Sequence, residues 1–302
     1  MNTVIESQAT SFYQHAKGIG FMSISAFAVS TSFLFGQILT SHIVLCLFVF
    51  LRFLLPAVAL SWIFLVTHTR TFEVQDIKTN LLRAVFTVLS QYCLFYYFMH
   101  GSLLDGTLLF ATSPLWVTIL SGLFLKIPVK PKSWFSVAIC FAGVVLVLKP
   151  DAGLFHVTTL IGMAGGLFNA CGQLTGHRVS RQQDPEMASW LMFSLSSVIA
   201  LVPLLLLWHD VNFTVLWHGQ QAIWLGMIWV GFVILAITNQ NTRSKSYSCV
   251  RKAASVTPFI YMAIVFSALW QWGIDQQVIG WQAVIGMALV IVGGSLILFR
   301  RV

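Results

Sequence analysis

The sequence predicts an all-α integral membrane protein, and three observations carry that prediction. Only 9% of its 302 residues are charged, against 58% hydrophobic, where a water-soluble domain carries about 25% charged residues. The apolar residues fall in long runs near the roughly 20 that an α-helix needs to cross a bilayer. The 17 Lys and Arg residues collect in short clusters between those runs and form no basic stripe with interleaved aromatics, so a nucleic-acid partner is set aside.

Ten runs have the composition of spans: about 18–39, 43–66, 81–99, 105–125, 133–149, 158–176, 187–208, 222–242, 251–272 and 280–299. Residues 1–17 are polar, lack the apolar core of a cleavable signal, and are expected to form a cytoplasmic N-terminal segment. With that end inside, the inner segments hold Lys17, Arg70, Lys78, Arg83, Lys126, Lys130, Lys132, Arg178, Arg181, Arg243, Lys245, Arg251, Lys252, Arg300 and Arg301. The outer segments hold Lys149 alone, beside Asp105, Asp151, Asp210 and Asp275. Positive residues concentrate on the cytoplasmic side of membrane proteins, so the separation predicts ten spans with both termini cytoplasmic. Short connections and arginine-rich inner segments fit a cell inner membrane.

The two halves of the chain resemble each other. "LLDGTLLFATSPLW" (103–116) aligns with "YSCVRKAASVTPFI" (247–260), placing Ser113-Pro114 over Thr257-Pro258. "AGVVLVL" (142–148) aligns with "VGGSLIL" (292–298), displaced by six residues. Five spans per half is an odd number, so the second half enters the membrane upside down. Inverted repeats of this kind are typical of secondary transporters, whose substrate sites lie near the midplane between the halves. The expected repeats are residues 18–150 and 151–302.

"LRFLLPAV", "TLLFATSPLW" and "FAGVVLVLKP" in the first half, with "AASVTPFIYM" and "GMALVIVGG" in the second, make the chain resemble the drug/metabolite transporter superfamily, EamA type. The resemblance extends from about Gly18 to Arg301. It implies a ten-helix transporter of two inverted five-helix repeats around a central cavity, with spans five and ten peripheral. Many members close the fourth span with a glycine–glutamate pair. This chain has "FLKIPVK" there, with Lys126, and only Asp275 as an approximate counterpart in the ninth span, so no role is carried over to those positions.

Candidate functional residues are polar or aromatic groups at mid-span. Arg52 lies nine residues into the second run, about 14 Å deep at 1.5 Å per residue, where an unpaired arginine is costly by several kcal/mol. Two roles fit it: a cavity cation for a carboxylate or phosphate, or a structural residue bonded between helices. The resemblance favours the structural role, because an arginine near this place is common in the family. Pro114 and Pro258 each remove a backbone donor and free a carbonyl one turn earlier, so they are candidate gates or fixed kinks. Gln91, Tyr92, Trp116, Asn169, Gln173, Asn239 and Tyr261 complete the candidate substrate set. Asn169 and Gln173 are four apart and share a helical face, while Tyr and Trp join an apolar body to one polar handle. The glycines of "IGMAGG" and "IVGGSL" suit close helix packing.

No Asp or Glu falls deep in any run, so nothing in the sequence points to proton coupling through a membrane carboxylate. The five cysteines are scattered without metal-ligand spacing, and no cofactor is expected. Paired carboxylates, a Ser-His-Asp set and a phosphate-binding loop are also missing, which argues against an enzyme. The expected function is secondary or facilitative transport of a small polar or zwitterionic metabolite, such as an amino acid, an amino-acid derivative or a nucleoside-like compound. A multidrug or waste exporter of the same fold is the alternative. The expected partners are that substrate and membrane lipids, with the protein as a monomer or a homodimer.

Overall fold

The computed structural model describes residues 2–67, 76–124, 131–148, 156–179, 185–207, 219–249, 257–276 and 280–300. Every regular element among them is helical: α1 (Asn2–Thr40), α2 (Leu45–Thr67), α3 (Ile77–Phe98), α4 (Leu103–Ala111), α5 (Ser113–Phe124), α6 (Pro131–Leu148), α7 (Val157–Val179), α8 (Pro185–Leu206), α9 (Gly219–Ser248), a 3-10 turn (Thr257–Tyr261), α10 (Met262–Asp275) and α11 (Trp281–Arg300). A backbone in lipid must satisfy its own hydrogen bonds, and helices do this within one segment. Five of the described helical segments are long and apolar enough to cross a membrane: Gln14–Thr40, Leu45–Val66, Ile77–Phe98, Glu186–Leu206 and Ala222–Arg243. Shorter apolar helices lie at Leu103–Val117, Ala138–Val147, Phe259–Ile274 and Trp281–Gly293.

Helix α1 extends through the polar N-terminal segment instead of starting near Gly18. The fourth run divides at Thr112 into α4 and α5, and the ninth opens as a 3-10 turn before α10. Both interruptions fall at the aligned proline sequences. Residues 251–256 and the side chain of Pro258 lie outside the described residues, as do Lys126 and the side chain of Asp275.

Large apolar side chains face outward, among them Trp62 at 69%, Leu206 at 79% and Trp281 at 70% exposure. So much exposed apolar surface suits contact with acyl chains and would be a liability in water. Inside, an aromatic core joins α1, α2, α3, α4 and α9: Phe48 meets Phe95 at 4.6 Å between ring centroids, and Phe33 meets Phe110 at 5.2 Å in a T-shaped contact.

The most extensive helix pairings are α3 with α7, α6 with α11, α1 with α9 and α2 with α8. Each joins a helix from residues 2–148 to one from residues 157–300, so the two halves are built into one another. At the α6–α11 crossing the backbones nearly touch. A Cβ on Gly143 would stand 2.7 Å from the Gly286 carbonyl oxygen, and one on Gly286 would stand 2.7 Å from that of Gly143.

Candidate functional site

A small cavity of about 30 Å³ lies where α1, α4 and α5 meet α7, α9, the 3-10 turn and α10. Val29, Phe33, Phe110 and Ile260 give it apolar lining, Ser113, Asn169 and Gln173 cluster as its polar end, and Arg243 also lines it. A mostly apolar pocket with a few convergent polar groups is the usual form of a small-molecule site.

The polar end depends on the break in the fourth run. Pro114 has no N–H to offer the Phe110 carbonyl, and the chain tightens: the Thr112 N–H bonds Leu109 O at 3.2 Å, and the Thr112 hydroxyl donates to the same carbonyl at 2.6 Å. Ser113 then begins α5 with its hydroxyl towards α7. There the Asn169 Nδ2 and Gln173 Nε2 groups both donate to Ser113 Oγ, at 3.0 and 3.1 Å. Gly166, one turn before Asn169, permits this approach, since a Cβ on it would fall 2.7 Å from both Leu109 O and Thr112 Oγ1. The structure thus brings Asn169, Gln173 and Pro114 together.

The other candidates lie elsewhere. The Arg52 guanidinium sits over two ring faces, 4.9 Å from the Phe95 centroid and 5.0 Å from that of Phe232. Its Nη1 is buried without a hydrogen-bond partner. Gln91 is buried on α3, Tyr92 lies beside Cys46, and Trp116 packs edge-on against Phe141 at 5.9 Å. Asn239 ties α9 to α1 by accepting a hydrogen bond from Ser25 Oγ at 2.7 Å. Tyr261 is 1% exposed, within the core. Pro258 lies in the 3-10 turn, two residues before the cavity-lining Ile260.

Arg243 was not among the sequence candidates. A span ending at 242 assigns it to the cytoplasmic charge, but α9 continues to Ser248 and carries its side chain to the cavity. The available signal was its spacing of four from Asn239, which puts both on one face. A buried hydroxyl seam was also missed. Ser30 Oγ and Ser267 Oγ are 2.9 Å apart, and Ser267 donates to the cavity-lining Thr107 at 2.9 Å, linking α1, α10 and α4. Among the described residues no cluster of His, Cys, Asp and Glu converges to hold a metal.

Comparison with known proteins places this geometry in context. Residues 16–149 match the EamA-like transporter family. The chain is 27% identical over 224 residues to the pseudopaline exporter of Pseudomonas aeruginosa, covering 74% of this chain and 73% of that protein. It is 28% identical over 177 residues to a riboflavin transporter of Vibrio cholerae, covering 59% and 55% respectively. A solved crystal structure aligns with a TM-score of 0.58 at 14% identity, covering 97% of this chain and 99% of its own. At that identity the likeness concerns the fold alone.

Proposed function

The chain belongs to the EamA-type drug/metabolite transporters, and on that premise we propose that it moves a small polar or zwitterionic metabolite across the cell inner membrane. The class includes amino acids, amino-acid derivatives and nucleoside-like compounds. Residues 18–150 and 151–302 act as two inverted five-helix repeats that expose the cavity alternately to each side.

The observation that carries this reading is the cavity itself, enclosed by helices from both halves, with its polar end at the Ser113-Pro114 break. Irregular backbone at membrane depth is tolerated where it lines a cavity, and interrupted helices form the substrate sites of many transporters. The helix pairings support the repeat. If runs one to five correspond to runs six to ten, the packing of run three on run six maps onto that of run eight on run one. The pairings two–seven, four–nine and five–ten map onto themselves, and all of these contacts occur. Two relatives are named for metabolite substrates. Lipophilic cations would want a carboxylate, and among the described residues none lines this cavity.

The test is reconstitution of the full chain in liposomes and a counterflow screen with radiolabelled amino acids, nucleosides and carboxylates. Saturable counterflow of at least one metabolite is expected. A profile restricted to lipophilic drugs would contradict the proposal.

A further inference from the structure

We propose that the cavity is an anion site: its polar end takes the carboxylate of the transported metabolite, with Arg243 as the charge partner and Ser113, Asn169 and Gln173 as hydrogen-bond donors. This deepens the transport reading and rests on it.

The first argument is the chemistry of the lining. Among the described residues its polar ones are Thr107, Ser113, Asn169, Gln173 and Arg243. Each can donate a hydrogen bond, and none carries negative charge. The second is the state of Ser113. Its oxygen already accepts from both the Asn169 and Gln173 amides, so its lone pairs are engaged and its own O–H is left to donate. Each amide keeps a second N–H as well. Donors fixed in this way, in a cavity that a guanidinium also lines, favour a carboxylate, because charge-assisted hydrogen bonds are about twice as strong as neutral ones.

A second cation makes the argument stronger. Arg83 of α3 lies across Gly176 of α7, three residues beyond Gln173; a Cβ at 176 would be 3.0 Å from the Arg83 Nε. Phe33, Phe110 and Ile260 add apolar lining, which suits the body of a metabolite whose charge lies at one end.

The experiment uses the full chain in lipid nanodiscs, with succinate, hippurate and N-acetylphenylalanine as probes, each beside its uncharged amide. Thermal unfolding is followed as each probe is added. At least one carboxylate is expected to raise the midpoint while its amide does not. Arg243→Gln is expected to weaken the apparent affinity for that carboxylate roughly tenfold or more. Arg243→Lys restores part of the loss, since it keeps the charge without the planar fork. Gln173→Leu, which removes one donor and keeps the charge, is read alongside and weakens the same affinity by a smaller factor. Equal stabilisation by acids and amides, no response to any carboxylate, or unchanged affinity in both Arg243→Gln and Gln173→Leu would overturn the anion site. Those outcomes are distinct from failure of the transport reading, which is read by counterflow: saturable flux of neutral metabolites alone retires the anion site and leaves a transporter.

Discussion

Arg52 and Arg243 are both arginines inside the helical bundle, yet their surroundings differ in kind. Arg52 is held between the faces of Phe95 and Phe232, on the helices α3 and α9 that flank α2. Arg243 lines the cavity with two amides and a hydroxyl. A cation over an aromatic face gains about 0.5–2 kcal/mol, at the upper end when desolvated, so two rings offset part of the cost of burying Arg52. The clamp joins three helices and points to a supporting role. Depth in the membrane measures what a charge costs, and the groups around it decide what it does.

The predictions set these two sites against each other. Arg52→Ala has the largest expected effect on stability. It removes the cation from both rings and leaves a hole between α2, α3 and α9, at a cost of about 3 kcal/mol, read as a lower unfolding midpoint in detergent. An unchanged midpoint would remove the clamp and with it the contrast. Ser267→Ala interrupts the Ser30–Ser267–Thr107 seam beside the cavity and strands two buried hydroxyls, costing about 1–2 kcal/mol. The same unfolding measurement checks it. Arg52→Lys keeps the charge but cannot spread a planar group between two rings; it is expected to cost about 1 kcal/mol and to leave the substrate's half-saturation where it was. Gln173→Leu has the smallest effect on the fold, within about 1 kcal/mol, since it removes one of the two amide donors to Ser113. Its effect on substrate half-saturation, measured by counterflow, is a severalfold rise.

Much of the architecture was legible because hydrophobic runs and the Ser113-Pro114 and Thr257-Pro258 dipeptides leave direct marks on the sequence. The break at Thr112 follows from Pro114, whose missing donor is a fixed chemical fact. Asn169 and Gln173 share a face because four residues are close to one helical turn. Their polarity also has a cost to pattern reading: α7 is 23 residues long, yet it is not among the described helices apolar enough to count as spans. Asn239 shows the limit. Its spacing and depth match those of a substrate residue, but its carboxamide oxygen is engaged by Ser25 on a helix 214 positions away in sequence. Arg243 was hidden for the opposite reason, since a helix end cannot be placed within a turn from hydropathy. The aromatic clamp on Arg52 draws on three helices, and no local pattern around residue 52 announces Phe95 or Phe232.

The central claim is that the cavity at the Ser113-Pro114 break carries the substrate while the Arg52 clamp carries the fold. The most direct measurement is counterflow of one identified metabolite through proteoliposomes bearing equal folded amounts of wild type, Gln173→Leu and Arg52→Lys. The account predicts saturable flux in all three, with half-saturation raised severalfold in Gln173→Leu and unchanged in Arg52→Lys. A shift in Arg52→Lys with none in Gln173→Leu would contradict it.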